Sequence, residues 1–306
     1  MLFIILLFFF VILTVTVISY ICFRITFYAD RNITTEEFSI PEGKIYEPYR
    51  EIMINWMKEI KDTEKEKYSI KSFDGLRLTA KYYECKKNAP IELMFHGYRG
   101  DAMRDLCGGV QRCFKLNRNA FIVDQRACGD SEGNIISFGV NESKDCLNWI
   151  DFIINKFGKD VKIILTGISM GASTVLMASG EKLPENVIGV LADCGYNSAE
   201  EIIKKIIKEK KLPINLSYFF VRLGALLFGK FDINQSRPVD SVKKAKIPII
   251  FFHGTDDKFV PYYMSEQIFE VTASKKRLIL IDDAGHGLSY LKNPNRYLNE
   301  LSDFFG

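Results

Sequence analysis

The sequence predicts an α/β architecture, a mostly parallel, doubly wound sheet with helices on both faces, on three observations. Two alternating runs, residues 68–73 and 76–83, flank Asp74-Gly75, which is a hairpin signal. Strand-like and helix-like runs then alternate towards the C-terminus, as repeated βα units require. Between the apolar run 161–166 and the helix-like run 172–179 stands Gly167-Ile168-Ser169-Met170-Gly171, a G-x-S-x-G on a strand-to-helix turn.

Residues 1–23 carry no charged side chain and are dominated by Leu, Ile, Phe and Val. As a helix they would reach roughly 35 Å, enough for a bilayer core of about 30 Å. A cleaved signal peptide has a basic start and small residues at the cut. No Lys or Arg precedes this run, and Ser19-Tyr20-Ile21-Cys22-Phe23 is bulky, so one uncleaved transmembrane anchor is expected over 1–23. Arg24, Arg31, Lys44 and Arg50 follow it, which favours a cytoplasmic catalytic domain on a single-pass membrane protein. The seven cysteines form no C-x-x-C pair, in keeping with free thiols in a reducing compartment.

Residues 24–64 read as a juxtamembrane linker, broken at Pro41-Glu42-Gly43, with a helix over 46–61 from the spacing of Ile52, Trp56 and Ile60. Residues 65–306 form the expected catalytic domain. After the hairpin, strands are predicted over 91–95, 120–124, 161–166, 187–193, 247–252 and 277–281. Helices are predicted over 102–115, 142–156, 172–179, 262–272 and 294–305. Residues 197–232 are too long for a simple crossover. They hold one helix-like run with Ile202, Ile203, Ile206 and Ile207 among lysines, then a Phe- and Leu-rich run over 216–228. The expectation is a helical cap over the strand ends. Its apolar face packs on the core, or alternatively leans on a membrane as a lid.

Composition, 47% hydrophobic and 26% charged, is that of a globular chain. A net charge of +3 is too mild to argue for nucleic acid. No metal-ligand cluster or nucleotide-binding glycine loop is evident, so neither metal nor cofactor is expected. Asn32-Ile33-Thr34, Asn141-Glu142-Ser143 and Asn215-Leu216-Ser217 match the glycosylation triplet, a pattern common by chance.

A serine hydroxyl is a poor nucleophile at neutral pH. It needs a base, a carboxylate to orient that base, and donors for the developing oxyanion. Only three histidines are available. His96 and His253 each precede a glycine at the end of a buried strand, where shaping a turn is the plainer role. His286 lies on the small-residue loop Asp283-Ala284-Gly285-His286-Gly287 after the last strand, and the chain order Ser, acid, His makes it the base. The acid comes from Asp256-Asp257, with Asp257 favoured, or from the rival Asp193 at the end of the preceding strand. The oxyanion donors are expected to be the backbone N–H groups of Met170 and of Tyr98, in His96-Gly97-Tyr98-Arg99-Gly100.

Over residues 67–306 the sequence resembles the α/β-hydrolase superfamily. The likeness rests on His96-Gly97-Tyr98, Asp124-Gln125-Arg126, Gly129-Asp130-Ser131-Glu132-Gly133, the serine turn, the segment from His253-Gly254 through Val260-Pro261, and Gly285-His286-Gly287. Within the superfamily it is most similar to membrane-anchored bacterial esterase-like hydrolases, and also to the catalytic domain of prolyl-oligopeptidase-type peptidases. The resemblance implies the α/β-hydrolase fold and, through its H-G-x-x-D-x-x-V-P spacing, puts the acid on Asp257. Ala127-Cys128 departs from relatives that carry a histidine before Gly129. The expected activity is cleavage of an acyl or lipid-derived ester through an acyl-enzyme. A serine peptidase is the alternative, and a non-catalytic interaction module stands behind both.

Overall fold

The computed structural model describes residues 1–30 and 38–305. Arg31 and the Asn32-Ile33-Thr34 triplet lie outside the described residues. An eight-stranded sheet in the order β1-β2-β4-β3-β5-β6-β7-β8 forms the centre. The hairpin β1 (Glu66–Lys71) and β2 (Arg77–Tyr83) is antiparallel, and β2 also pairs antiparallel with β4 (Asn119–Asp124). From there the sheet is parallel through β3 (Ile91–Phe95), β5 (Ile163–Ile168), β6 (Val187–Asp193), β7 (Ile249–Gly254) and β8 (Lys276–Ile281).

Strand periodicity sends alternate side chains to opposite faces. Ile249 and Phe251 of β7 enter one core, Ile250 and Phe252 the other. The first face is covered by α4 (Glu142–Phe157), α5 (Met170–Ser179), the single turn α8 (Pro238–Ser241) and α9 (Tyr263–Val271), with Trp149 fully buried. The second is covered by α2 (Arg50–Asp62), α3 (Ala102–Lys115) and α11 (Pro294–Phe305), with the short α10 (Ser289–Lys292) beside them. This is an α/β-hydrolase fold with helices on both faces of a mostly parallel sheet.

Two further parts bear on the site. The insertion after β6 folds as α6 (Ala199–Glu209) and α7 (Ile214–Gly224), the latter prolonged by a π turn over Ala225–Gly229. Ser198 caps α6 by accepting from Glu201 N–H, and Pro213 ends the connection by starting α7. Ile202, Ile203 and Ile207 of α6 meet Tyr218 and Val221 of α7 in a separate apolar cluster that also holds Met170. The second part is α1 (Leu2–Thr26), with a mean hydropathy of 3.0 over its most apolar window, long and apolar enough to cross a membrane. Its last turn enters the cap cluster through Phe23, and Phe27, just past its end, joins the same cluster.

Candidate active site

The chain runs from β3 to β4 on one side and then crosses to β5 on the other, so β3 and β5 flank a topological switch point. In open α/β sheets, the crevice at the carboxyl ends of such strands is where ligands bind. Ser169 follows β5 and the His96–Gly100 loop follows β3, which puts both at that crevice.

Ser169 has φ +56° and ψ −119°, a conformation an L-residue rarely adopts. Its N–H donates to Asp193 O at 2.8 Å, which ties the turn to the end of β6. The flanking glycines are demanded by space. A Cβ at Gly167 would strike the backbone of Gly171, and one at Gly171 would strike Phe95 O. The tight turn projects the hydroxyl past the strand end, with α5 starting at once behind it.

His286 Nε2 lies 2.8 Å from Ser169 Oγ, and His286 Nδ1 lies 2.6 Å from Asp257 Oδ2. A carboxylate only accepts, so Nδ1 carries the ring proton and Nε2 is left to accept from the serine hydroxyl. Asp257 is buried. Its Oδ1 accepts from the N–H groups of Phe259 and Val260 at 2.9 and 2.8 Å. Burial alone would push its carboxyl up, but hydrogen bonds from His253 and His286 hold it well below the usual carboxylate range. The acid is therefore ionised and held at both oxygens. Asp256 turns out to solvent and pairs with Lys258 at 2.6 Å.

The rival carboxylate, Asp193, is not at the imidazole. Its oxygens accept from Ser289 Oγ and Tyr297 OH, both at 3.0 Å, and burial pushes its pKa up. Its side chain points into the core beneath α10 and α11.

Gly97 N–H donates to Asp105 Oδ2 at 3.0 Å, and a Cβ on Gly97 would lie 3.6 Å from Ser169 Cβ, so this loop runs directly beside the serine. Among the described residues, neither Tyr98 N–H nor Met170 N–H has a protein acceptor. His96 is fully buried and takes no part at the serine. It accepts from Gln125 N–H at Nε2 and donates from Nδ1 to Gly97 O, locking the ends of β3 and β4 together.

Sequence reasoning missed His253. It is buried, with Nε2 at 2.8 Å from Val260 O and 3.2 Å from Asp257 Oδ2. A carbonyl only accepts, so Nε2 carries the proton and is shared with the acid, while Nδ1 accepts from Ser265 Oγ at 2.7 Å. A histidine before a glycine at a strand end says nothing by itself about which way its ring turns. Tyr46 was missed too: its hydroxyl donates to His286 O at 3.0 Å, from a segment far away in sequence.

Cys194, Asp257 and His286 bring potential metal donors within 4.8 Å of one another. Two of those donors are already committed to each other. Burial pushes the Cys194 thiol well above its ordinary pKa, and metal binding needs the thiolate. The trio is better suited to proton handling than to holding an ion. Cys128 is likewise buried and its thiol is pushed up by burial, which leaves it inert as a nucleophile.

The prolyl oligopeptidase family matches residues 136–306, more than half of the chain. The chain belongs to the prolyl oligopeptidase family. This family member is 27% identical over 194 residues to protein YqkD of Bacillus subtilis (strain 168), covering 62% of each. It is 24% identical over 198 residues to protein bem46 of Schizosaccharomyces pombe (strain 972), covering 63% of this chain and 60% of that one. The matches thus span about three-fifths of the length of these relatives. Among solved structures, the Pyrococcus furiosus esterase Pf2001 superposes with a TM-score of 0.66 at 17% identity, over 89% of this chain and 100% of that one. Est1E from Butyrivibrio proteoclasticus, with ferulic acid bound, gives 0.59 at 18% identity, over 78% and 98%. At such identities the likeness establishes the fold. Family and fold are those of the α/β-hydrolase type.

Proposed function

We propose that this hydrolase is a membrane-tethered serine esterase acting through an acyl-enzyme. Ser169 attacks the ester carbonyl, and His286 takes the hydroxyl proton and returns it to the leaving alcohol. Asp257 holds the imidazole in the tautomer that can accept, and the N–H groups of Tyr98 and Met170 receive the oxyanion. Water then attacks the acyl-enzyme with His286 again as base. What supports this reading most is an imidazole within hydrogen-bond distance of both Ser169 Oγ and the Asp257 carboxylate. The apolar cap beside Met170 and the apolar α1 favour an acyl or lipid-derived ester. In this reading α1 is a single anchor, with the hydrolase domain on the cytoplasmic side, where Arg24, Lys44 and Arg50 follow the apolar run.

A serine peptidase is the second reading, and the family match favours it. The two are separated by turnover of p-nitrophenyl esters of graded chain length against aminoacyl-nitroanilides. Ester turnover rising with chain length and no anilide cleavage is expected; the reverse order makes the protein a peptidase. A fluorophosphonate probe should label the protein and fail to label Ser169→Ala. Equal labelling of the variant would remove Ser169 from the mechanism.

A further inference from the structure

The helix Ile214–Gly229 has two apolar faces. Tyr218, Val221 and Ala225 point into the cap cluster. On the other side Leu216, Phe219, Leu226 and Leu227 are exposed, with Phe219 54% accessible, and half-buried Leu223 fills the gap between 219 and 226, so the side chains form a single stripe at helical spacing. A stripe of this size on a folded chain marks a surface that something covers.

Its neighbour indicates what does. Gly224 abuts α1 so closely that a Cβ there would collide with Ser19 O, and Phe228 packs on Tyr20 and Phe23 at 5.1 and 5.8 Å between ring centroids. Small residues at such a crossing let two backbones approach, as they do inside membranes. Arg24 is the first charged residue after the apolar run. With that guanidinium at the headgroup level, Ser19 lies about 7 Å deeper, at 1.5 Å per residue. The crossing carries Gly224 to the same depth, which is how far an interfacial helix sinks. Lys208, Lys210 and Lys211 just before the stripe, and Lys230 just after it, are exposed where anionic headgroups would stand.

We propose that Ile214–Gly229 is an interfacial helix whose outer stripe docks into the acyl boundary of an anionic bilayer alongside α1. It rests on the reading of α1 as an anchor, and it deepens the ester reading. The inner face of the docked helix shares a cluster with Met170, next to Ser169, so the site lies about one helix diameter from the acyl chains. The substrate class that fits is a bilayer-resident acyl ester entering from the leaflet.

The full chain, reconstituted in phosphatidylcholine–phosphatidylglycerol vesicles whose lipids carry bromine near the top of the acyl chain, with a parallel set brominated near its end to reach the deeper position 13, tests this by fluorescence. The two native tryptophans, Trp56 and Trp149, give the background. Single added tryptophans are compared in Phe219→Trp, Leu227→Trp, Leu13→Trp in α1, and Asp151→Trp on the exposed side of α4. Emission at 219 and 227 should fall at least about twofold on bromination, as for a helix lying in the interface, with none lost at 151. Quenching at 13 but not at 219 or 227 would overturn the docking and leave the anchor. No quenching at any of the three would overturn both, and unquenched probes at 219 and 227 in a dimeric protein would mean a second copy covers the stripe. Because the readout does not pass through turnover, its failure is distinct from failure of the ester reading.

Discussion

At Asp257 two histidines converge on one carboxylate, and only one of them reaches the serine. Asp257→Asn should cost about 10⁴ in turnover, since the amide no longer fixes the accepting tautomer. Asp193→Asn should keep turnover within about tenfold, because its partners are Ser289 and Tyr297 rather than the imidazole. Steady-state assays of the pair decide the point; collapse of the second variant alone would transfer the role to Asp193. His253→Phe should lower kcat with KM unchanged, as expected of a group that positions the acid. The serine was legible because glycines two residues either side of it describe a local backbone problem with few solutions. The orientation of His253 was not, since Val260 and Ser265 fix its ring only once α9 has packed on β7.

Among the strands, β3 holds an exception to the apolar pattern of a buried parallel sheet. Glu92 is fully buried, taking Arg118 Nη1 at 2.9 Å and Arg112 as a second partner, with Thr166 Oγ1 at 3.1 Å. Burial would raise its pKa, but the two guanidiniums win and bring it to about 2 from an ordinary 4.5. A lowered folded-state pKa gives stability that is complete above about 4.5 and lost as pH falls towards 2. Urea midpoints should therefore fall over that window in the native chain and much less in Glu92→Gln. That variant should be about 3–5 kcal/mol less stable at neutral pH, because two buried cations lose their counter-charge. Equal acid sensitivity of the two proteins would discount the cluster. Elements of full length were readable: α3 and α11 coincide with their predicted spans. Single turns such as α8 and α10 were not, because four residues carry no periodicity.

On the scale of the whole molecule, segments ahead of β1 touch two loops of the candidate site: Tyr46 donates to His286 O, and the end of α1 meets the His96–Gly100 loop. Tyr98 OH donates to Thr26 O at 2.8 Å, and Arg99 donates to Ile25 O and Tyr28 O at 2.8 and 3.0 Å, closing the open carbonyls at the end of α1. Tyr98→Phe should thus reduce kcat without changing KM or thermal stability much, while Arg99→Ala should do the same more strongly. A change confined to KM would place these residues at the substrate instead. None of this was visible in the sequence, where the apolar N-terminal run and the His96–Gly100 loop are separate motifs some seventy residues apart. The His96–Gly100 loop, which carries the proposed oxyanion donor, is hung on the end of α1, and a helix that spans, as proposed for α1, tilts to match the thickness of its host bilayer. Under the proposed anchor and esterase readings, hydrophobic mismatch becomes an input to catalysis: turnover of even a water-soluble ester should shift as the host lipids are lengthened by a few methylenes.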